Sequence, residues 1–339
     1  MTERICVVPQ VHGVGGMVSF LHKFSAGAQA RGVQVTNDLS DTCSAVLVIG
    51  GTRQLHPLLQ LKRRRVRIVQ RLDGINWIQR VRPVSLKHTL RAEYGNLVLA
   101  TIRRFVADRI VYQSGFSRWW WNQRFGVINK SSSLVYNGVD LQAYSPSELP
   151  ATLAAVNTYR LLVVEGSLGG GYENGLENAI RLAEALGARG WRMEVQVVGE
   201  VSPALKAEWS AKSAVPVIWS GLVKREEIPA LDRAAHLFFS ADVHPACPNS
   251  VIEALACGLP VVAFDTGSLT ELVTPEAGYI GPYGSDSWKL QPPDVAGLAL
   301  GAEKVLENWK VFSLEARKRA ESAFGLEQMV DHYLEALLG

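Results

Sequence analysis

The first half of the chain alternates short runs of apolar, β-branched residues with longer segments of helical periodicity. A helix is predicted over 17–30, where apolar residues recur every three or four positions. Continuous apolar strands separated by helices are typical of a parallel sheet covered on both faces. The strands predicted in this half are 4–8, 33–36, 45–49, 66–70, 109–112 and 133–135.

The pattern is interrupted over 141–157, which contains Pro146 and Pro150, and then restarts. Helices are predicted over 295–306, with Asp294 as N-cap, and over 326–338. The strands predicted in this half are 160–164, 193–198, 217–219, 237–240 and 261–264. The sequence therefore predicts an α/β protein with two doubly wound, Rossmann-like domains, 1–145 and 158–324, joined by a linker at 146–157. Ligands are expected at the carboxyl ends of the strands, in a cleft between the domains.

Composition changes this picture little. The chain has 339 residues, of which 47% are apolar and 20% charged, as in a globular protein. No apolar run approaches the roughly 20 residues that span a bilayer, and the apolar run after the N-terminus is too short for a signal peptide. We therefore expect a cytoplasmic protein. The four cysteines form no C-x-x-C pair and are expected to be reduced.

Charge is distributed unequally. Residues 1–145 hold 20 basic and 7 acidic residues, a balance of +13, and the remainder holds 15 and 25, a balance of −10. This asymmetry favours an anionic partner for the first domain: a membrane surface, a phosphorylated lipid or an acidic glycan. A solvated basic face is the alternative. Nucleic acid fits poorly, because no groove-reading motif accompanies the charge.

A glycine-rich turn, His12-Gly13-Val14-Gly15-Gly16, follows the first strand. Glycines at a strand-to-helix turn let a ligand approach the backbone near a helix N-terminus. A dinucleotide fingerprint would need a third glycine where Val18 stands, and Asp38 is an unconvincing acidic partner, so the turn does not favour NAD binding. A purely structural turn remains an alternative.

The longest motif runs from Cys247 to Val262. Asn249 or Ser250 is predicted to cap a short helix whose free backbone amides can hold a diphosphate. Glu253 lies one turn further on, where a carboxylate would repel phosphate, so it is better suited to accept hydrogen bonds from ribose hydroxyls. Gly258 ends this helix before the next strand.

The glycine-rich turn, the segment Tyr136-Asn137-Gly138-Val139-Asp140 and the block from Ile252 to Val262 together resemble family 4 glycosyltransferases, in the same order over nearly the whole chain. The resemblance implies a GT-B fold, a nucleoside diphosphate sugar as donor, retention of configuration and no essential metal or other cofactor. It also implies that a final helix, about 325–339, packs back on the first domain.

Roles carried over by the resemblance concern mainly the donor. Glu253 matches the ribose-binding glutamate, and the helix start at 249–251 matches the turn that meets the diphosphate. The segment 221–223 matches the lining of the base, and the glycine-rich turn closes over the phosphates and sugar. The predicted donor-binding residues are Gly15, Gly16, Ser167, Gly221, Leu222, Val223, His244, Asn249, Ser250, Val251 and Glu253.

Three departures accompany the resemblance. Pro245, beside His244, occupies the position of a donor-sugar carboxylate. Ser167 stands where the family has a phosphate-binding arginine, and Asn174 or Tyr172 lies near the position of a lysine. The glycines at 169–171, Lys224, Arg225 or an arginine of the first domain are the alternatives for replacing those cations.

On the acceptor side, Arg71 and Asp73 follow a predicted strand, and Leu72 takes the place of a family histidine. We predict that Arg71 and Asp73 contact the acceptor or the donor sugar. A structural salt bridge at the strand end is the alternative reading.

Two patches favour docking of the first domain on an anionic membrane. One is the basic run 61–67, and the other is Trp119-Trp120-Trp121 between Arg118 and Arg124. Core packing with a solvated basic face is the alternative.

The sequence thus predicts a glycosyltransferase that moves a sugar from a nucleoside diphosphate to a hydroxyl of a glycan, glycolipid or lipid-linked saccharide. It is expected in the cytoplasm, with peripheral contact to the inner membrane face. A non-catalytic binding protein of the same fold and a nucleotide-sugar epimerase are the alternatives.

Overall fold

The chain forms two compact units in a computed structural model that describes residues 3–13, 15–147, 158–169 and 173–339. The first unit comprises Met1–Gly138 with Leu326–Gly339, and the second comprises Val139–Gly325. Each contains one six-stranded sheet flanked by helices, and every strand pair is parallel. The predicted α/β fold with two Rossmann-like parallel-sheet units is confirmed. Residues 148–157 of the predicted linker lie outside the described residues.

The first sheet has the strand order β2-β1-β3-β4-β5-β6. Its strands are β1 Arg4–Val8, β2 Gln34–Thr36, β3 Ala45–Ile49, β4 Arg67–Leu72, β5 Arg109–Tyr112 and β6 Ser131–Leu134. Its helices are α1 Gly16–Ala30, α2 Leu55–Arg63, α3 Leu86–Thr101, α4 Gly115–Phe125 and the final helix α12 Leu326–Leu338. All six strands predicted for this half are present, three with the predicted bounds and three with ends shifted by one or two residues.

Helix α12 contributes to the core of the first unit. Tyr333 is fully buried, and its ring lies 4.8 Å from that of Phe20 on α1. A Cβ added at Gly27 would come within 2.5 Å of Val330, so the glycine allows α1 and α12 to approach closely. The end of the chain therefore completes a core that begins with the first strand.

The second sheet has the order β12-β11-β10-β7-β8-β9. Its strands are β7 Tyr159–Ser167, β8 Met193–Glu200, β9 Val217–Gly221, β10 Leu237–Phe239, β11 Val261–Phe264 and β12 Gly278–Gly281. Its helices are α5 Glu173–Ala188, α6 Pro203–Lys212, α7 Ile228–Ala234, α8 Asn249–Ala256, α9 Leu269–Leu272, α10 Val295–Glu307 and α11 Trp309–Ala323. Asp294 caps α10 as predicted, because its carboxylate accepts the amide hydrogen of Gly297 at 2.9 Å.

The cysteines depart from expectation. Cys6 and Cys43 form a disulfide, with Cα atoms 5.9 Å apart, because parallel pairing of β1 with β3 brings their segments together. The prediction that all four are reduced is therefore wrong for this pair. Cys247 and Cys257 are buried thiols.

The two patches predicted to meet a membrane are partly structural. Trp120 and Trp121 are buried, and only Trp119 of the three is half exposed. In the basic run, Lys62 pairs with Asp108 at 2.6 Å. Among the helices of the described residues, none combines the length and the apolar character that crossing a bilayer requires.

Candidate active site

Helix α8 begins at the carboxyl end of the second sheet with uncapped backbone amides. Pro248 is the N-cap, and it makes no side-chain capping hydrogen bond. The prediction that Asn249 or Ser250 caps the helix is therefore wrong, because Asn249 is already the first helical residue. The first amides of a helix have no acceptor within the helix. Those of Asn249, Ser250 and Val251 can therefore donate to an anionic ligand, which the helix dipole also favours.

The C-terminal end of α8 is fixed by neighbouring residues. Gly258 has φ +72° and terminates the helix, as the sequence predicted. Arg317 on α11 donates to the carbonyl oxygens of Ala256, at 2.7 Å, and Tyr144, at 2.8 Å. A guanidinium at the helix C-terminus satisfies carbonyls that would otherwise lack partners and complements the dipole. The position of the uncapped amides is thus set by contacts at the opposite end of the helix.

Glu253 lies one turn into α8 with its side chain 10% exposed. Its carboxylate is 3.4 Å from the guanidinium of Arg225. The hydroxyl of Tyr144 donates to the backbone carbonyl of Arg225 at 3.5 Å. Burial, and then the charge of Glu253, raise the pKa of Tyr144. A carboxylate, a cation and a neutral phenol therefore lie together beside α8.

Asp232 on α7 adds a second carboxyl group to this cluster. Its side chain is buried, and burial followed by the charge of Glu253 raises its pKa well above the usual range. A hydrogen bond from the thiol of Cys257 lowers the pKa of Asp232, but by less. The neutral form of Asp232 is thereby favoured.

The segment predicted to line a base leads into Arg225. Gly221 ends β9 with φ +66°, and Leu222 is largely exposed. The amide of Lys224 then donates to the side chain of Glu227 at 3.0 Å, which starts a short 3₁₀ turn. One continuous stretch therefore contains Gly221, Leu222 and Val223 together with the cation that reaches Glu253.

The carboxyl edge of β7 carries Ser167, which is exposed, directly after a bulge. Glu165 lies near the end of β7, and Asp242 follows the neighbouring strand β10. Burial raises the pKa of both carboxyl groups, and the charge of Asp242 raises that of Glu165 further. The neutral forms of both carboxyl groups are thereby favoured. The glycines and Tyr172 at 170–172, which were considered as phosphate contacts, lie outside the described residues.

His244 and Pro245 occupy a tight loop before α8. His244 has φ +63°, and its ring stacks on Trp288 at 3.7 Å. Burial lowers the pKa of His244 to about 4, so the ring is neutral at pH 7. The carbonyl of Pro245 accepts the amide hydrogen of Ser268 at 2.9 Å. The predicted donor contact of His244 would therefore come from a neutral, stacked imidazole.

The glycine-rich turn of the first unit is open where the structure describes it. Gly15 has φ +136° and precedes α1, which begins at Gly16 without a side-chain cap. A Cβ at Gly13 or Gly15 would meet no atom within 4 Å, so these glycines are required by backbone conformation and not by packing. Val14 lies outside the described residues.

Arg71 and Asp73 differ in their surroundings. Arg71 is only 2% exposed, donates to the side-chain oxygen of Asn137 at 2.9 Å, and lies over the ring of Phe20 at 4.1 Å. Asp73 is partly exposed, and its carbonyl oxygen accepts from the indole of Trp121 at 2.8 Å. Burial raises the pKa of the Asp73 carboxyl group, against the influence of Arg71. The substrate contacts predicted for both stay predictions, and burial weighs against the one at Arg71.

Sequence reasoning did not identify Tyr144, Asp232 or Arg317, and considered Arg225 only as one replacement for the missing cations. The signal for Arg225 was its place directly after the segment 221–223. No sequence signal marked the others, because they come from distant segments that only the fold brings to α8. In the described ranges, no group of three or more His, Cys, Asp or Glu side chains could hold a metal ion.

Comparison with solved structures shows the fold. Over 98% of this chain and 98% of the other, it matches a sucrose-phosphate synthase from Thermosynechococcus elongatus, with a TM-score of 0.74 at 16% identity. The Anabaena protein HepE in complex with UDP and glucose matches over 99% of both chains, with a TM-score of 0.70 at 17% identity. The two parallel α/β units therefore form a GT-B fold.

Sequence comparison adds the family. Residues 160–308 match the family model for group 1 glycosyl transferases. A GDP-mannose-dependent phosphatidylinositol dimannoside mannosyltransferase of Mycobacterium tuberculosis is 29% identical over 176 residues, 50% of this chain and 44% of that protein. A 2-deoxystreptamine glucosyltransferase of Streptomyces kanamyceticus is 28% identical over 43% of this chain and 38% of that protein. These matches span less than half the length of either relative. Together, the findings show a GT-B fold and, over residues 160–308, a sequence similar to group 1 glycosyl transferases.

Proposed function

We propose that the chain transfers a glycosyl group from a nucleoside diphosphate sugar to an acceptor hydroxyl, with retention of anomeric configuration. The uncapped start of α8 beside Glu253 carries this proposal. Its amides suit a diphosphate, and a charged carboxylate one turn away suits the hydroxyls of a ribose.

In the proposed reaction, the bond between the anomeric carbon and the diphosphate oxygen breaks, and a bond from the acceptor oxygen to that carbon forms on the same face. The acceptor proton passes to an oxygen of the leaving diphosphate. The amides of α8 and the guanidinium of Arg225 stabilise the charge that develops there. This arrangement supplies positive potential from the chain itself, so we propose that no divalent metal is needed.

For the acceptor and for the membrane contact, only a general class is proposed. One relative acts on phosphatidylinositol dimannoside and another on 2-deoxystreptamine, by their names. We propose a saccharide or lipid-linked acceptor and peripheral contact of the basic first unit with an anionic membrane. Asp73 is the group of the first unit best suited to accept a hydrogen bond from the acceptor, since it is partly exposed.

A second candidate, a non-catalytic binding protein, is favoured by Ser167 and Pro245, which replace groups that the resemblance implies for phosphate and sugar. Release of nucleoside diphosphate from a panel of UDP-, GDP-, dTDP- and ADP-sugars, with saccharide and lipid-linked acceptors and with EDTA added, separates the possibilities. We expect acceptor-dependent release that EDTA leaves unchanged, and an α product from an α donor. Nucleotide binding without turnover would support the second candidate, and epimerised sugar without acceptor would show an epimerase.

A further inference from the structure

Helix α3 of the first unit displays an unusual row of exposed apolar side chains. Leu86, Leu90, Tyr94 and Leu97 are 52–74% exposed. At 100° per residue they fall within about 80° of the helix circumference, so they form one continuous face. This face is called the α3 stripe below. A surface helix of a globular protein normally turns such a face inward.

Away from the stripe, a pair of polar contacts anchors α3 to the rest of the first unit. Asn96 is the one buried residue of α3. Its side-chain oxygen accepts the amide hydrogen of Asn76 at 3.0 Å, and its nitrogen donates to the Asn76 carbonyl at 2.9 Å. Rotation of α3 to bury the stripe would break this pair of hydrogen bonds and leave buried polar groups without partners, which is costly.

Two further contacts fix the same orientation. Glu93, at the border of the stripe, accepts two hydrogen bonds from Arg80 at 2.7 and 2.6 Å, and this pairing chiefly lowers the pKa of Glu93 to about 2. Towards the C-terminal end, Leu99 packs on Gly51, where an added Cβ would approach to 2.8 Å. These contacts keep the stripe facing outward, and the Glu93 carboxylate at its border is paired with Arg80.

Positive charge lies along one side of the stripe. Lys87 and Arg91 are exposed on the next strip of the helix surface, and the guanidinium of Arg53 lies 5.9 Å from the ring centre of Tyr94. Residues 1–145 as a whole carry 20 basic and 7 acidic residues. An apolar helix face bordered by lysine and arginine is typical of helices that lie in the interface of an anionic membrane.

We propose that the α3 stripe inserts into the surface of an anionic bilayer, with Lys87, Arg91 and Arg53 at the headgroups. This inference rests on the membrane contact of the proposed function and assigns it to an element other than the tryptophan cluster and the basic run. A second copy of the chain suits the stripe poorly, since like charges facing each other are repelled. A helix of 16 residues, about 24 Å long, offers a narrow convex ridge that lipid chains can surround.

The test is flotation of the full chain with vesicles of phosphatidylglycerol and phosphatidylcholine, or of phosphatidylcholine alone. The double variant Leu90→Ser, Leu97→Ser removes the centre of the stripe without touching the core. The double variant Val311→Ser, Leu314→Ser is the matched control, because both residues are exposed apolar positions on helix α11 of the second unit. The double variant Lys87→Gln, Arg91→Gln tests whether positive charge beside the stripe contributes to binding of anionic lipid.

We expect the wild-type chain and the α11 control to float with anionic vesicles and to bind phosphatidylcholine alone far more weakly. Partitioning should fall about tenfold for each leucine replaced, and the charge variant should lose most of the dependence on anionic lipid. Equal flotation of the stripe variant and the wild type would overturn the proposal. So would a wild-type chain that does not float, or a dimer in sedimentation that the leucine replacements abolish.

Nucleotide binding is measured on the same preparations by thermal shift with UDP, GDP, dTDP and ADP. Flotation that depends on the stripe, without stabilisation by any nucleotide, would contradict the proposed function and support the α3 stripe as a docking surface. Stabilisation by a nucleotide without flotation would support nucleotide binding and contradict the docking surface.

Discussion

Replacement of Glu253 by glutamine tests the assignment of the ribose contact. The variant keeps the size of the side chain and removes the charge that would accept hydrogen bonds from two ribose hydroxyls. Hydrogen bonds to a charged group contribute about 1.5–3 kcal/mol, so nucleotide affinity should fall by roughly 10- to 150-fold. Arg225 lies 3.4 Å from Glu253. Without the competing carboxylate its contact with the diphosphate should strengthen, so we expect the lower half of that range.

Isothermal titration with the nucleotide that stabilises the wild-type chain measures this loss. Glu226→Gln is the matched control, because Glu226 is an exposed carboxylate in the same 3₁₀ turn as Arg225. The control should bind as the wild type does. An affinity of Glu253→Gln within twofold of the wild type, with the fold intact, would refute the ribose contact.

Three further predictions concern stability. Arg317→Ala should lower the free energy of unfolding, measured in urea, by about 2–4 kcal/mol, because backbone carbonyls lose a charged donor. The matched control Lys318→Ala, at an exposed position, should change the free energy of unfolding little. Equal effects of the two variants would contradict the prediction. Gly301→Ala should cost about 1–3 kcal/mol, because its Cβ would overlap the ring of Tyr279; an unchanged thermal midpoint would count against it. The lowered pKa of His244, about 4, means that the unfolded chain binds more protons between pH 6.5 and 4. Stability should therefore fall over that interval on acidification, and less steeply in His244→Phe; parallel profiles would contradict the assignment.

Much of the fold follows from local patterns. Short apolar, β-branched runs such as Ala45–Ile49 favour a buried parallel strand, and the final helix has the predicted bounds Leu326–Leu338. Strand β12, Gly278–Gly281, was not predicted, because its glycines carry no periodic signal and its place comes from pairing with β11. The Cys6–Cys43 pairing was missed for a similar reason, since tertiary register brings together residues that are 37 positions apart.

The candidate site was predictable only where it lies on one continuous segment. The block from Asn249 to Glu253 follows from its own sequence, although the cap itself was wrong because Pro248 takes the N-cap position. The environment of Glu253 was not predictable. Tyr144 and Asp232 surround it through long-range packing, and their raised pKa values exist only because of that burial.

Hydrogen exchange of the peptide covering residues 249–253, with and without a saturating nucleoside diphosphate, tests the account most directly. The first amides of α8 lack an acceptor in the helix, so they should exchange rapidly in the free protein. Bound diphosphate should slow them, while the exposed end of helix α11 is unaffected. Unchanged exchange at 249–253 under conditions where titration shows the nucleotide to be bound would place the ligand elsewhere and contradict the assignment.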